Sequence, residues 1–450
     1  MATRATRHSN GTRRLNRVKL RDQHWAVRVF FAIGILATIG AIVTLFFTLG
    51  RRPRALWATE KTPPVDSRQF LDALSGDVGS AVQTGGTAVL LRNGDRFFPA
   101  MLEDLRAARR TIHFSVYIWE KGRMTDAFSE VMIERARAGV AVRLLLDSFG
   151  THLPNGRIEE MEKAGVKVQK FREARLGGFT RYHRRNHRRA IVIDGRIGYT
   201  GGAAVADKWM GDARDDTEWR DDMVRVTGPL ARSLQSAFAE LWAGSRGEIL
   251  VGDEIFPEID DGPPRAQPLR SIALNSSPFD ERHPLRLFFG LSFLAARQHL
   301  YIASSYFVPD KHTRRFVTER ARAGVDVRIL VPNEKTDAWP IRQATHSYLE
   351  ELLSAGVRVY EYQPTMMHAK YVVVDGLWSV VGSANMDVRS KELNTENVIG
   401  ILDPAFARDL AESFRADLAR SKEIRLDQWR RRGPLPRFAE RCAALFVEQY

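Results

Sequence analysis

Two histidines open the same short pattern. His368 is followed by Lys370 and, after four apolar residues, by Asp375; Gly382, Ser383 and Asn385 close the segment, which reads HxK(x4)D(x6)GSxN. Earlier in the chain His187, Arg189 and Asp194 repeat the spacing, with Gly201 and Gly202 where Gly382 and Ser383 stand. Histidine and a cation two positions apart on a strand project to one face. The runs AIVI and YVVV that follow are β-formers able to seat that strand in a core. Two such units facing each other surround one phosphodiester with two imidazoles and two cations. One imidazole can attack phosphorus, while the other protonates the departing alcohol and then deprotonates the incoming one. Histidine suits both tasks because its ordinary pKa, about 6.5, lies near neutrality. Lys370 and Arg189 would neutralise the phosphate oxygens. Asp194 and Asp375 are expected to orient the imidazoles, as the third group of a triad does. The Gly-rich turns are expected to bring backbone N–H groups to the phosphate. With two cations at the phosphate, the chemistry calls for no metal and no cofactor.

The elements that position these residues are duplicated. Glu134–Asp147 (ERARAGVAVRLLLD) is echoed by Glu319–Pro332 (ERARAGVDVRILVP), AGVKV from Ala164 by AGVRV from Ala355, and AARRTIHF from Ala107 by AARQHLYI from Ala295. The echoes keep their order, so the chain holds two homologous lobes, placed at 86–250 and 271–422. Helical segments alternating with β-branched runs predict an α/β fold, each lobe a mixed, mainly parallel sheet flanked by helices. The acidic, Pro-containing stretch 251–270 reads as a linker between the lobes, and 51–85 as a linker before the first. A lone copy of the histidine motif would be weak; two copies in register within a repeat are strong.

Charge is distributed unevenly. The formal net charge is +14, of which residues 1–61 carry +10 and residues 62–450 only +4. That placement argues against a basic nucleic-acid groove and for an arm beside an anionic membrane. After the basic arm 1–28, Val29–Gly50 is an uncharged run of 22 residues. As a helix it would span about 33 Å, enough for a hydrocarbon core of about 30 Å, and it is read as a single transmembrane anchor. Counting Lys and Arg on its two sides tilts the orientation slightly toward the N-terminus inside. The basic tail 423–450 carries apolar residues at helical spacing, from Phe438 through Ala439 and Cys442 to Phe446, either for a membrane surface or for packing on the second lobe. The one cysteine, Cys442, excludes a disulfide framework.

The duplicated motif is the signature of the phospholipase D superfamily. The surrounding segments, NGDRFFPAMLEDLRAARR, ERARAGV, WRD at Trp219–Asp221, SYFVP and HAKYVVVDG, most resemble its bacterial cardiolipin synthase branch. The resemblance covers residues 86–422. It implies a phosphatidyltransferase in a bacterial cell membrane, with phosphatidylglycerol as the lipid and no nucleic-acid partner. It also implies His187 as nucleophile and His368 as acid/base. Glu396 resembles the family's acidic residue after the second motif. A hydrolytic phospholipase D, a nuclease and an inactive membrane scaffold use the same scaffold and are the alternatives. Two departures stand out: Arg189 replaces the usual lysine, and Gly202 and Ala204 stand opposite Ser383 and Asn385, so that phosphate contacts there are expected from backbone. His183 and the run Arg181, Arg184, Arg185, Arg188 read as surface or steering residues, and Trp209, Trp219, Trp242 and Trp378 as packing.

Overall fold

The computed structural model describes residues 25, 27–35, 37, 38, 40, 61–171, 185–259, 268–278, 280 and 282–445. Each motif strand ends in an Asp-Gly turn. Asp194 and Asp375 both take φ 52°, and Gly195 and Gly376 both take φ 64°. Positive φ at both central residues is the primed hairpin geometry, whose twist matches its flanking strands. The motif strand and the next strand must therefore run antiparallel.

In chain order the strands are β1 (Gln83–Thr84), β2 (Ala88–Arg92), β3 (Thr111–Val116), β4 (Trp119–Glu120), β5 (Ala141–Asp147), β6 (Thr151–His152), β7 (Lys167–Phe171), β8 (Ala190–Ile193), β9 (Ile197–Gly201) and β10 (Asp222–Thr227). The second lobe supplies β11 (Arg270–Ser276), β12 (His299–Ala303), β13 (Asp326–Pro332), β14 (Arg358–Tyr362), β15 (Tyr371–Val374), β16 (Trp378–Gly382), β17 (Glu396–Leu402) and β18 (Ser421–Ile424). The first lobe's sheet has the order β2-β10-β9-β8-β3-β5-β7, and the second β1-β11-β17-β16-β15-β12-β13-β14-β18. Only β3-β5-β7 and β12-β13-β14 are parallel; every other neighbouring pair in these two sheets is antiparallel. The expected mainly parallel sheets are thus mixed and mostly antiparallel. Helices Arg123–Arg137 and Arg157–Lys163 make the two parallel crossovers of the first lobe, Lys311–Arg322 and Trp339–Ser354 those of the second, and the repeats read from sequence coincide with those steps. The hairpins that carry the motifs cannot be parallel.

The stretch expected as a linker before the first lobe folds onto the second. β1 pairs with β11, and helix Arg68–Val78 packs on helix Pro284–Ala295. Helices Pro229–Arg246 and Pro404–Leu418 each contact both sheets. One apolar cluster therefore joins Val192, Val224, Leu234 and Phe238 of the first lobe to Tyr301, Val373, Leu410 and Phe414 of the second. Each large side chain so buried contributes about 1.5–3 kcal/mol. The two lobes lie within one unit, Thr59–Tyr450.

The tail helix Pro434–Leu445 packs on helix Trp339–Ser354, the second of the two placements expected from sequence. Phe446 lies outside the described residues. In the N-terminal unit the described residues from Trp25 to Gly40 are helical, and Phe30 and Phe31 are exposed. No helix among the described residues is long and apolar enough to cross a membrane. Residues 41–50 of the uncharged run, like most of the basic arm, lie outside the described set.

Candidate active site

Short strand-like bridges at the seam between the lobes bring the two motifs together. Asn186 bridges Thr395, and Arg220 bridges Met367, each pair joining one lobe to the other. The His187 amide donates to the Thr395 carbonyl at 3.0 Å, and the His368 amide to the Arg220 carbonyl at 2.7 Å. Each histidine thereby acquires a carboxylate from the opposite lobe. His187 Nδ1 lies 2.9 Å from Glu396 Oε2, and His368 Nδ1 lies 2.7 Å from Asp221 Oδ2. Both imidazoles and both carboxylates are buried. A carboxylate on Nδ1–H fixes the tautomer and leaves Nε2 for chemistry.

Asp221 was not singled out from sequence, although the repeat contains it. Gly201 of β9 faces Met223 of β10, and Gly382 of β16 faces Val398 of β17. Two residues before Met223 stands Asp221; two before Val398 stands Glu396. Carrying the repeat through the WRD segment would have found it. Trp209, read as packing, also belongs here: its Nε1 donates to Asp221 Oδ2 at 2.9 Å, and its ring lies 5.2 Å from that of His368. Trp219 stands 5.4 Å from the same imidazole, whereas Trp242 and Trp378 are packing residues in the core.

Asp194 and Asp375 do not touch the imidazoles, which corrects their expected role. Asp194 accepts the amides of Arg109, Arg110 and Thr111 at 2.7–2.9 Å. Asp375 accepts those of Arg297, Gln298 and His299 at 2.8–2.9 Å. Each sits at the far end of its four-residue strand and ties the hairpin to the start of the neighbouring strand. The carboxylate is needed to satisfy three amides that this strand start leaves unpaired.

The Gly-rich turns are also reassigned. The Gly202 amide donates to Asp222 O at 3.2 Å and the Ser383 amide to Asn397 O at 2.9 Å, so both are spent on the sheet and neither is free for phosphate. A Cβ at Gly202 would lie 2.2 Å from Asp221 Oδ1, and one at Gly201 2.3 Å from Asp222 O. In the second lobe the longer Glu396 reaches past this position, and the Ser383 hydroxyl donates to it. Gly202 with Asp221 and Ser383 with Glu396 are therefore two solutions of one packing problem. Asn385 Oδ1 accepts from Ser305 Oγ at 3.0 Å, and Ser305 Oγ also lies 3.1 Å from His368 O, so this pair supports the second motif's backbone.

The cations lie in equivalent places. Lys370 Nζ donates to His368 O at 2.7 Å, and Arg189 Nη1 to His187 O at 2.8 Å. Lys370 Nζ also lies 3.1–3.2 Å from both nitrogens of the His368 ring. Arg189 Nε and Nη2 have no hydrogen-bond partner among the described residues. Those two groups form one edge of the guanidinium, the fork that takes two oxygens of a phosphate. Behind the site Asn397 of β17 locks β8 across the seam, accepting from Arg189 N at 2.9 Å and donating to Arg189 O at 3.1 Å. On the other side Arg220, fully buried, pairs with Asp222 and Asp417 at 2.8 Å each.

Burial, then the charge of Arg189, pulls His187 down to about 4. Burial, then Lys370 and Arg189, pulls His368 well below its ordinary value. Burial alone would raise Glu396, but His187, the Ser383 hydroxyl and Arg189 outweigh it and hold the carboxyl below its usual range. Asp221 goes the other way, pushed up to about 6 by burial despite Lys370. Lys370 is brought down to about 7 by burial. At neutral pH His187 is thus a neutral imidazole on an ionised carboxylate and His368 is also held toward its neutral form, whereas Asp221 and Lys370 are brought close to neutrality. An entering phosphodiester anion opposes the cations and favours the protonated form of His368. Arg185 is buried beside this site; His183, Arg181 and Arg184 lie outside the described residues.

A family described as cardiolipin synthase, phospholipase D-like domain, matches residues 101–242 and 292–418. The chain is 35% identical over 361 residues to cardiolipin synthase A of Pseudomonas fluorescens (strain SBW25), covering 79% of this chain and 73% of the relative. It is 32% identical over 394 residues to the cardiolipin synthase of Geobacillus kaustophilus (strain HTA426), covering 86% and 77%. Among solved structures, phosphatidylserine synthase of Haemophilus influenzae Rd KW20 shares the fold with a TM-score of 0.63 at 14% identity, covering 84% of this chain and 97% of that one.

Proposed function

Given that this chain belongs to the cardiolipin synthase family of phospholipase D-like proteins, we propose that it is a phosphatidyltransferase whose single active site is shared between its lobes. The observation that carries this reading is the pair of crossed dyads, His187–Glu396 and His368–Asp221. His187 Nε2, made nucleophilic by Glu396 on its other nitrogen, forms a bond to phosphorus. The phosphorus–oxygen bond to the departing alcohol breaks, and His368 supplies the proton to that oxygen. The phosphatidyl group stays on His187 until a second alcohol attacks. His368 then removes that alcohol's proton, and the histidine–phosphorus bond breaks. Arg189 and Lys370 balance the charge on the non-bridging oxygens throughout. The number of phosphodiester bonds is unchanged, so the exchange consumes no nucleotide.

The donor is a phosphatidylglycerol and the acceptor a glycerol hydroxyl of a second one, which gives cardiolipin and free glycerol. In this reading Val29–Gly50 anchors the chain in a bilayer. Its lack of charge supports the assignment, as does the exposure of Phe30, Phe31 and Ile33 on the described part of its helix. The test is lipid mass spectrometry after incubating the purified chain with phosphatidylglycerol in EDTA. Cardiolipin and glycerol in equal amounts are expected. Phosphatidic acid as the sole lipid product would make the chain a hydrolytic phospholipase D.

A further inference from the structure

The stretch between the glycine turn and the dyad carboxylate differs between the lobes. Nineteen residues separate Gly201 from Asp221, but thirteen separate Gly382 from Glu396. The longer stretch contains a loop, 211–219, that crosses to the second lobe. Its base is held by the first lobe, where the Asp95 amide donates to Gly211 O at 3.0 Å and Asn93 Nδ2 to Asp212 Oδ1 at 2.7 Å. Its body is braced by Glu218, which accepts the amides of Asp212 and Arg214 at 3.0 Å each and pairs with the Arg214 guanidinium. Its crest is fastened to the second lobe. Arg420 Nη2 donates to Ala213 O at 2.8 Å, and Lys335 pairs with Asp216 while donating to Pro364 O at 2.8 Å. Ala213 is fully buried and takes φ 56°, a left-handed conformation that alanine adopts only where surrounding contacts hold it.

This clasp carries Trp219 to the site. The Trp219 amide donates to Lys208 O at 2.6 Å. Its ring lies 4.9 Å from that of Trp209 and 5.4 Å from the His368 imidazole, tilted by 37° to the latter. Lys208 Nζ stands 4.5 Å over the same indole and is held by Glu120 at 2.8 Å. With Trp209 at 5.2 Å and Tyr306 at 6.4 Å, three aromatic rings stand around His368. Against His187 the described residues place one, Tyr117 at 5.2 Å. The aromatic cover is thus concentrated on the histidine that handles the alcohol's proton, not on the one that holds phosphorus.

That placement matters at one point of the cycle. Once the first alcohol has left, the phosphatidyl group is on His187, and His368 is ready to take a proton from the next oxygen to arrive. Water is the smallest and most concentrated candidate. Its attack would form a phosphorus–oxygen bond, break the histidine–phosphorus bond, pass a proton to His368 and release phosphatidic acid. We propose that Trp219, fixed against His368 by the clasp 211–219, keeps water from that position and so sets the ratio of transfer to hydrolysis. The inference rests on the phosphatidyltransferase reading and adds the residue that protects it from hydrolysis. A glycerol hydroxyl arrives with a carbon skeleton that can pack on the indole, an advantage water lacks. Without the indole, the hollow would be edged by His368 and the Lys208–Glu120 pair, polar groups enough to hold water there.

The test is product partitioning. The full chain and its variants are given phosphatidylglycerol, and phosphatidic acid and cardiolipin are counted by lipid mass spectrometry. The ratio reads the fate of one intermediate, so it does not depend on how much of a preparation is active. Trp219→Ala should raise phosphatidic acid relative to cardiolipin by about tenfold or more, the scale on which one apolar contact discriminates between substrates. Trp219→Phe should restore most of the wild-type ratio. Lys335→Met, which loosens the clasp and leaves the indole in the chain, should raise the ratio by a smaller factor. Lys335 lies at the surface, its side chain 35% exposed, so this variant decides the matter where Trp219→Ala does not fold. An unchanged ratio in an active Trp219→Ala chain, or in Lys335→Met where the former does not fold, overturns the role of the indole. Phosphatidic acid as the sole lipid product of the wild-type chain would instead overturn the transferase reading.

Discussion

Asp221 and Asp375 offer the sharpest contrast, because the motif points to one aspartate and the geometry to the other. Asp221 is buried with three donors around its carboxylate: His368 Nδ1 at 2.7 Å, Trp209 Nε1 at 2.9 Å and its neighbour's amide, Asp222 N, at 2.8 Å. An amide in its place brings two N–H groups into a ring of donors. The least costly relief is for His368 to turn its Nδ1 into an acceptor, which puts the proton on Nε2 and removes the base needed for the second half of the cycle. Loss of a charged hydrogen bond to a buried imidazolium is worth up to about 3 kcal/mol, so Asp221→Asn should slow turnover about 150-fold. Stability should fall by less than in Asp375→Asn, because the clash of the amide with a donor that cannot turn, Trp209 Nε1 or Asp222 N, is offset by losing a carboxyl charge that burial already disfavours, pushing Asp221 up to about 6. Asp375→Asn should do the opposite. It keeps the positive φ that asparagine tolerates, but turns a donor toward one of the three amides at the start of β12, a cost of about 2 kcal/mol in stability. The assay is a pair of measurements on each variant, turnover of phosphatidylglycerol and the thermal unfolding midpoint. Asp375→Asn losing activity as severely as Asp221→Asn with an unchanged midpoint would refute the crossed pairing.

Other outcomes follow from the same geometry. Arg189→Lys should retain measurable turnover but lose the two-pronged contact, whereas Arg189→Ala should cost a hundredfold or more, on the order of an oxyanion donor's loss; equal rates for Ala and wild type would make this cation dispensable. In kcat/KM, which reports the free enzyme, activity should fall below about pH 6 as Asp221 gains a proton and above about pH 7 as Lys370 loses one, and Lys370→Arg should remove the alkaline limb. Arg220→Met leaves Asp222 and Asp417 buried without their cation and should destabilise the chain by about 3–5 kcal/mol in denaturant melts. A chain beginning at Thr59 should fold without detergent, because the apolar cluster shared by both lobes lies within that unit; aggregation under native conditions would show that the N-terminal arm is structural.

Local pattern made the motif strands, the repeat and the two facing lobes readable, because hydrophobic runs act within a few positions and a repeat needs no knowledge of contacts. What sequence spacing hides is pairing across the seam. Glu396 stands out in sequence only as an acidic residue after the second motif, and its place beside His187 depends on Thr395 bridging Asn186 of the other lobe. Asp194 and Asp375 were misassigned because adjacency along a motif was taken for adjacency in space, yet a four-residue strand carries them away from the histidines. The mainly parallel sheets failed for a related reason: the echoed segments cover the parallel crossovers, while the hairpins beside them set most of the strand pairs. The role of Gly202 was legible only once Asp221 was seen to occupy the space of its missing Cβ.

The central claim is a division of labour between the lobes, with His187 holding the phosphatidyl group and His368 moving protons. It is tested most directly by quenching the His368→Ala chain after a short incubation with head-group-proximal phosphorus-labelled phosphatidylglycerol and mapping the labelled peptide. Slow breakdown without its acid/base should leave label on His187, and His187→Ala should carry none. Label on another residue, or substantial steady-state turnover in either variant, would contradict the account.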